Sequence, residues 1–301
     1  MGHSADTISE TQPQLSNPTD TIEAIERCIE IAVTTAGKDG VVVNLSGGID
    51  STVTASLAVR ALGSDRVTGL ILPAATNSEA NIDDARQVAE ELVIDTELIE
   101  IQPLLDAFLK TVTSESRRTT ADPLERSRSV MTVPTKHRDD VPMALGNAAA
   151  RLRMLIAYFE ANTTNSLVLG TGNLTELQLG YFTKYGDGAC DLLPIGDLYK
   201  SEVKQVAKAL EVRSNIIEKQ PTAGLLHGQD DESELGAPYA QIDTILWNLQ
   251  STAASPAEIA SQTGIARSTV ERILTRIENS THKRTVPQTA SELVETPLGR
   301  S

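Results

Sequence analysis

The stretch VVVNLSGGIDS, residues 41–51, decides the fold, because it leads from a strand into a helix through a glycine turn. Residues 41–45 form a short apolar run rich in β-branched side chains, which predicts a strand buried in a parallel sheet. The adjacent Gly47 and Gly48 predict a tight turn, and a helical stretch follows from Thr52 to Leu62. These residues therefore predict a strand-turn-helix unit of an α/β protein.

The same alternation extends outward from this unit in both directions. Before it, apolar residues at positions 22, 25, 29 and 33 predict a helix that is opened by Thr19 and Asp20 and ends near Gly37. After it, strands are predicted at residues 67–72, 98–101 and 166–170, and helices at 82–92 and about 143–161. Strands that alternate with helices predict a doubly wound parallel α/β sheet, here followed by a C-terminal helical segment.

The folded part of the chain is predicted to be one domain, residues 19–287. The polar, aperiodic residues 1–18 predict a disordered lead-in, and residues 288–301 form a C-terminal tail. Residues 114–142 carry charged clusters and few apolar side chains, so we expect them to form a mobile lid loop. Residues 255–279 predict a helical hairpin whose isoleucine and leucine face packs on the core.

The charge balance restricts what the protein can bind. Of its 301 residues, 40% are hydrophobic, which is enough to form a core. The 41 acidic residues against 26 basic ones give a net charge of −15, which argues against binding to a nucleic-acid backbone. This composition is typical of proteins from halophilic archaea, and an ordinary acidic cytosolic protein is the alternative.

The sequence also points to a cytoplasmic protein. No stretch reaches the roughly 18 uninterrupted apolar residues that a membrane span requires, and the polar N-terminus does not have the pattern of a signal peptide. The two cysteines, Cys28 and Cys190, cannot build a disulfide framework. Cys190 is expected to be a small buried residue rather than a nucleophile, because no activating histidine lies near it in the sequence.

The turn at residues 46–51 has the chemistry of an anion site that also binds a cation. Its glycines allow successive backbone N–H groups to point at one anion, and the following helix N-terminus adds a favourable potential. The turn matches neither the Walker A nor the dinucleotide-binding pattern. Asp50 would repel a phosphate unless a cation such as Mg²⁺ bridged the two, which favours a metal–pyrophosphate site over a simple tight turn with serine caps.

The run SGGIDS resembles the signature S-G-G-x-D-S of the ATP pyrophosphatase, or PP-loop, superfamily at every position. The resemblance implies a sheet of the adenine-nucleotide α-hydrolase type and cleavage of ATP to AMP and pyrophosphate. The loop alone does not identify the second substrate, because the superfamily includes several ligases and tRNA-thiolating enzymes.

Further blocks resemble the ammonia-dependent NAD synthetase family from roughly residue 20 to residue 287. The blocks, in chain order, are GNAAARLRM (146–154), GTGNLTE (170–176), GYFTKYGDG (180–188), DLLPI (191–195), LYK (198–200), PTAGL (221–225) and HKR (282–284). The resemblance implies a carbon–nitrogen ligase that amidates deamido-NAD with ammonia, forms an acyl-adenylate on the way, and releases AMP and pyrophosphate. It also implies a homodimer.

The resemblance also assigns roles position by position. The residues it assigns to ATP are Asn44, Leu45, Ser46, Gly47, Gly48, Ile49, Asp50, Ser51, Thr171, Lys200 and Thr222. Those it assigns to Mg²⁺ are Asp50 and Glu176. Those it assigns to deamido-NAD, some of them across the dimer interface, are Arg151, Lys184, Asp191, His282 and Lys283. Hard carboxylates suit Mg²⁺, and lysine and arginine suit the many phosphate charges of these substrates.

Two other functions remain as alternatives. The first is another PP-loop ligase or thiolating enzyme, which cysteine pairs or an appended basic RNA-binding domain would favour. The second is a DNA-binding regulator, because residues 255–279 have the pattern of a helix-turn-helix with Arg267, Arg272 and Arg276 available for phosphates. The sequence has no segment suited to hydrolysing glutamine, so free ammonia or a separate partner is expected to supply the nitrogen.

Overall fold

Four parallel strands form the central sheet: β1 (Gly40–Asn44), β2 (Val67–Ile71), β3 (Asp95–Leu98) and β4 (Ser166–Leu169). The computed structural model describes residues 12–113, 141–222 and 230–290. The strands lie in the order β3-β2-β1-β4, and Val42 of β1 pairs with Thr68 on one side and Val168 on the other. The predicted doubly wound parallel α/β sheet is confirmed.

Helices fill the connections between the strands and form the C-terminal part of the described chain. In chain order they are α1 (Pro18–Thr35), α2 (Ile49–Leu62), α3 (Glu79–Leu92), α4 (Gln102–Thr113), α5 (Val141–Thr163), α6 (Leu174–Leu179), α7 (Lys200–Ala209), α8 (Ser214–Ile217), α9 (Asp231–Leu235), α10 (Tyr239–Thr252), α11 (Pro256–Thr263), α12 (Arg267–Asn279) and α13 (Thr281–Arg284). A short 3₁₀ turn, Ser64–Arg66, connects α2 to β2. None of the helices in the described ranges is both long and apolar enough to cross a membrane.

Different helices cover the two faces of the sheet, because successive side chains of a strand point to opposite faces. Val41 and Val43 pack in a cluster with α1, α2, α3 and α7 that includes Leu57. Val42, between them, packs on the other face with α4 and α5, where Ala157 is fully buried. Burial on both faces explains why β1 is a continuous apolar run rather than an alternating one.

The C-terminal helices have an apolar cluster of their own. Ile259 of α11 and Val270 and Ile273 of α12 are fully buried there against α10. A capping box starts α11, because the Ser255 side chain accepts from the Glu258 backbone N–H and the Glu258 carboxylate accepts from the Ser255 N–H at 2.8 Å. Residues 255–279 thus form two helices whose apolar face is buried.

The predicted strand at residues 98–101 is wrong, since β3 spans Asp95–Leu98. β3 is an edge strand and all of its residues are exposed, so no apolar pattern marks it. The apolar residues that follow belong to the connection into α4: the Ile99 N–H donates to Ile71 O at 2.9 Å, and Ile101 is fully buried. The sequence pattern therefore identified a buried connection instead of the exposed strand.

The predicted disordered lead-in is wrong for residues 12–17. Pro13 is buried, Leu15 packs against the main core, and the Leu15 N–H donates to Gln205 Oε1 at 3.3 Å. Asn17, rather than Thr19 or Asp20, caps α1, and its side chain accepts from the Thr19 N–H at 3.0 Å.

Three further helices begin earlier than predicted. Helix α3 begins at Glu79 instead of residue 82. Helix α2 begins at Ile49 instead of Thr52. Helix α5 begins at Val141, so residues 141–142 of the predicted lid are helical. Residues 1–11 of the lead-in, 114–140 of the lid and 291–301 of the tail lie outside the described residues.

Candidate active site

The strand order places a crevice at the carboxyl ends of β1 and β4. The connection from β1 leads to β2 and then β3 on one side of β1, whereas β4 lies on its other side. The strand order therefore reverses between β1 and β4, which is the topological switch point of the sheet. The loops that follow these strands diverge here, and open α/β sheets bind ligands at this place. A cavity of about 450 Å³ occupies it, lined by the SGGIDS turn and by residues after β4.

The SGGIDS turn has a geometry that only glycine supports at its second position. Gly47 has a φ of +73°, and a Cβ atom there would lie 2.2 Å from Asn81 O of α3. The Ser46 and Ser51 hydroxyl oxygens lie 3.1 Å apart, and the Ser51 hydroxyl donates to Gly48 O at 3.0 Å. Because Gly48 has no side chain to cap α2, the first N–H groups of that helix are open to an anion.

An acidic pair and a buried lysine lie beside this turn. The Lys200 ammonium pairs with Asp50 Oδ2 and lies 3.7 Å from Glu176 Oε1. Asn173 Nδ2 donates to the other Asp50 oxygen at 3.1 Å, and the Asn173 side chain caps α6 by accepting from the Glu176 N–H at 3.0 Å. Lys200 is 3% exposed, so these charges interact in a largely desolvated place.

Burial and mutual repulsion shift the protonation of these groups. The pKa of Glu176 rises to about 8, first because burial disfavours its charge and second because the Asp50 carboxylate repels it. Burial disfavours the Lys200 charge, but the Asp50 and Glu176 carboxylates outweigh that effect and raise its pKa above the ordinary value. With both carboxylates ionised, one ammonium would leave a net negative charge in this buried place, so a further cation next to them would favour the ionised form of Glu176.

The residues present fit a hard divalent cation that is shared with a phosphate ligand. Asp50 and Glu176 offer the carboxylate oxygens that Mg²⁺ prefers. Within residues 12–113, 141–222 and 230–290, no three His, Cys, Asp or Glu side chains converge to make a complete metal site. Because Mg²⁺ is commonly held by one or two carboxylates together with substrate phosphates and water, this incomplete donor set matches that ion.

Asp243 connects α6 and α7, the helices that carry Glu176 and Lys200. Its Oδ1 accepts from the Thr175 hydroxyl of α6 at 2.6 Å, and its Oδ2 accepts from the Ser201 N–H of α7 at 2.8 Å. The Lys200 N–H donates to the same Thr175 hydroxyl at 3.0 Å. Burial raises the pKa of Asp243. Sequence reasoning missed this residue, because Asp243 lies on α10, in none of the matched blocks, and has no motif of its own.

All residues predicted to bind ATP or a metal line the one cavity. They are Asn44, Leu45, Ser46, Gly47, Gly48, Ile49, Asp50, Ser51, Thr171, Glu176, Lys200 and Thr222. They come from β1, the turn after it, the start of α2, the segment after β4, α6, the start of α7 and the segment after α8, so the fold brings together positions far apart in the chain.

The residues predicted to bind deamido-NAD are more dispersed. Of the five, Lys283 is among the described residues that line the cavity, whereas the other four are not. Three of the others form a chain beside it: Arg151 Nη2 donates to Lys184 O at 3.1 Å, and the Lys184 ammonium donates to His282 O. The Lys283 ammonium donates to Gly180 O and Phe182 O at 2.8 and 2.9 Å.

Asp191 lies apart from that chain, at the end of β4. One carboxylate oxygen accepts from the Val168 N–H at 2.7 Å, and the other accepts from the Tyr158 hydroxyl of α5 at 3.2 Å. Burial and the nearby Asp191 charge raise the pKa of Tyr158 to about 12. The structure therefore brings four of the five predicted residues together and holds the fifth, Asp191, between Val168 of β4 and Tyr158.

Several charged residues that were not assigned to ATP, Mg²⁺ or deamido-NAD also line the cavity. They are Arg153, Asp187, Lys204, Lys219, Asp231, Glu234 and Arg276. Arg153 holds the segment after β2, because its Nε donates to Leu72 O at 2.9 Å and its Nη2 to Asn77 Oδ1 at 3.0 Å. Arg153, Asp187 and Lys219 lie in or next to matched blocks, which was the available signal, whereas Asp231 and Arg276 are placed by tertiary packing.

A glycine-rich anion loop and an acidic pair at the switch point of a parallel sheet define a PP-loop nucleotide-binding protein. The chain belongs to the NAD synthase family, whose model, described as NAD synthase, matches residues 21–287.

Relatives of known name agree with this family. The chain is 42% identical over 268 residues to the NH(3)-dependent NAD(+) synthetase of Methanocaldococcus jannaschii, covering 89% of this chain and 95% of that protein. Among solved structures, it is similar to an NMN synthetase from Francisella tularensis, with a TM-score of 0.74 and 36% identity over 91% and 98% of the two chains. It is also similar to an NH3-dependent NAD synthetase from Campylobacter jejuni, with a TM-score of 0.70 and 32% identity over 91% and 99%.

Proposed function

We propose that this protein uses ATP and ammonia to amidate deamido-NAD, giving NAD, AMP and pyrophosphate. The observation that carries the proposal is the placement of Asp50, Glu176 and Lys200 beside the open N-terminus of α2 in one cavity. These groups suit a magnesium-bound triphosphate, and the names of the relatives give ammonia as the nitrogen source and NAD as the product.

The reaction needs positioning and charge stabilisation more than acid–base catalysis. The nicotinate carboxylate attacks the α-phosphorus of ATP, and the loop N–H groups and α2 N-terminus stabilise the departing pyrophosphate. Lys200 offsets negative charge that develops on the phosphates. Ammonia then attacks the carbonyl carbon of the acyl-adenylate and displaces AMP, so no side-chain nucleophile is required.

Asp50 and Glu176 would hold Mg²⁺, which neutralises phosphate charge when it is bound. Because burial and the Asp50 carboxylate raise the pKa of Glu176, a cation bound there would stabilise its ionised form. Thr171 and Thr222 line the same cavity and would contact ATP.

The acceptor site is proposed to be completed by a second copy of the chain. On α5, Leu155 and Phe159 are 60% and 67% exposed, and Arg151 lies on the same helix face at the same spacing. Covering this stripe would bury its apolar side chains and bring Arg151 to an interface. Such a dimer would explain why most of the residues predicted to bind the dinucleotide do not line the cavity of a single copy.

Other functions have less support in the structure. The arginines of the predicted helix-turn-helix are engaged: Arg272 Nη2 donates to Gly236 O, Arg267 pairs with Glu271 at 2.8 Å, and Arg276 lies over the Tyr181 ring at 5.1 Å. With the net charge of −15, these contacts disfavour DNA binding. We also propose a cytoplasmic location, where both ATP and the dinucleotide are made and used.

The direct test supplies purified protein with ATP, Mg²⁺, deamido-NAD and ammonium. We expect NAD, AMP and pyrophosphate in equal amounts, little turnover with glutamine, and a rate that rises with pH at limiting ammonium, because only uncharged ammonia is nucleophilic. Formation of ADP would contradict attack at the α-phosphorus. Because a structural relative is an NMN synthetase, nicotinate mononucleotide is tested beside deamido-NAD, and preference for it would change the assigned acceptor.

A further inference from the structure

Lys219 connects the SGGIDS turn to helix α3. Its ammonium lies 3.3 Å from Gly47 O and donates to Asp84 Oδ2 of α3 at 2.7 Å. The same carboxylate accepts from Asn215 Nδ2 at 3.2 Å and lies 3.8 Å from Arg213 Nη1. Three side chains from residues 213–219 therefore converge on Asp84, and Lys219 extends that cluster to the turn.

The contact with Gly47 O fixes the orientation of one peptide unit. Gly47 O and the Gly48 N–H belong to the same peptide, and in a trans peptide they point in opposite directions. Because Lys219 holds the carbonyl oxygen, the Gly48 N–H points the other way, where it donates to Ser46 Oγ at 3.3 Å. The opposite orientation would turn a carbonyl oxygen, which repels anions, toward the side that now presents the N–H.

Glycine makes such a rotation sterically easy, so this peptide needs an external restraint. Gly47 and Gly48 are adjacent and lack Cβ atoms, and Gly47 already has a φ of +73°. The approach of Gly47 to Asn81 O restrains its α-carbon on the α3 side, but this approach does not itself fix the plane of the Gly47–Gly48 peptide. The Ser46 hydroxyl accepts from the N–H end of this peptide, and the Lys219 ammonium, which the Asp84 carboxylate holds in place, restrains its carbonyl end.

We propose that Lys219 is a positioning residue that keeps the Gly48 N–H turned toward the ATP phosphates, and that Asp84 holds Lys219 in the orientation this requires. The proposal rests on the proposed function, in which the turn binds ATP. It differs from direct phosphate binding by Lys219, which also lines the cavity. Asp84 is not among the described residues that line the cavity, so its substitution separates the two roles.

The experiment measures ATP binding by calorimetry without acceptor, and KM and kcat for both substrates, in Lys219→Met, Asp84→Ala and the double variant. We expect each single variant to weaken ATP binding about tenfold, and the double variant to be no weaker than the worse single one, because both break one network. The KM for deamido-NAD stays within about twofold.

Lys219→Arg restores most of the affinity for ATP, since the arginine side chain can still donate to both oxygens. The matched control is Arg86→Met, which removes an exposed ion pair with Asp83 from the same helix and leaves ATP binding unchanged.

The outcomes separate the alternatives. Unchanged or tighter ATP binding in Asp84→Ala, with a loss in Lys219→Met, would assign Lys219 to direct phosphate contact and overturn the positioning role. Strictly additive losses in the double variant would overturn it as well. Melting temperatures identify a variant that does not fold, and Asp84→Asn then replaces Asp84→Ala. If the wild-type protein binds ATP but does not amidate deamido-NAD, the proposed acceptor fails and the positioning test still holds, whereas absence of ATP binding would overturn both.

Discussion

The carboxylate of Asp50 is the feature of a single residue on which the proposed chemistry depends most. Asp50 accepts from Asn173 and pairs with Lys200 beside the SGGIDS turn. Asp50→Asn keeps the shape of the side chain but removes its charge, and an amide is a poor ligand for a hard cation. We expect pyrophosphate release to fall by on the order of 100-fold, as measured in the standard assay with ATP, Mg²⁺, deamido-NAD and ammonium.

The control for this variant is Asp83→Asn, which removes a highly exposed carboxylate on α3. Asp83→Asn should keep wild-type activity and stability, because exposed ion pairs contribute little. Near-normal pyrophosphate release by a folded Asp50→Asn protein would exclude Asp50 from the proposed metal site.

The two cysteines should react very differently with thiol reagents. Burial, and next the Asp191 charge, raise the pKa of the Cys190 thiol to about 11, whereas Cys28 is exposed on α1. Because the thiolate is the reactive form, Cys190 is almost wholly protonated near pH 8 and its labelling should accelerate with pH up to about 11. Peptide mass spectrometry after brief iodoacetamide treatment should find Cys28 labelled first. Faster labelling of Cys190 at pH 8 would indicate an activated thiol.

At the scale of elements, the start of α11 tests whether the C-terminal helices contribute only stability. Ser255→Ala removes the cap of that helix while leaving the buried Ile259 in place. We expect a loss of about 1 kcal/mol in the free energy of unfolding, measured by urea denaturation, with unchanged KM for ATP. Ser268→Ala, on the solvated start of α12, is the matched control. A large effect of Ser255→Ala on KM would instead connect α11 to the site.

For the whole molecule, the acidic composition should make stability depend on salt. A net charge of −15 creates repulsion within the folded protein, and salt screens it. We expect the melting temperature to rise by several degrees from dilute to molar KCl. A melting temperature that falls or stays level would remove the halophilic interpretation and leave the proposed reaction unaffected.

The proposed pairing of two copies is also a property of the whole molecule. Phe159→Glu places a charge in the exposed stripe on α5, where it would be desolvated in a dimer. We expect light scattering to show a shift from dimer to monomer, and the KM for deamido-NAD to rise more than the KM for ATP. The control is Phe108→Glu, which adds the same charge at an exposed phenylalanine of α4 outside the proposed interface. It should leave the dimer and the KM for deamido-NAD unchanged. A wild-type protein that is monomeric at micromolar concentration would contradict the proposal.

The sequence by itself determined the class of fold and the position of the glycine turn for which phosphate binding is proposed. Both follow from local chemistry: the run at residues 41–45 can be satisfied only by burial on two faces, and the glycines after it mark the turn. The residues predicted to bind ATP could likewise be proposed from motifs, because each lies in a block of sequence that resembles the family.

Tertiary structure decided what local patterns do not encode. The edge strand β3 carries no buried face, so its position could be read only from its pairing with β2. Asp243 and Asp84 matter through partners far away in the sequence, and neither lies in a motif. The order of the strands around β1 determines which loops meet, and that order places Asp50, Glu176 and Lys200 at one point. Sequence therefore specified the chemical groups, and the long-range packing of the sheet and helices specified which of them act together.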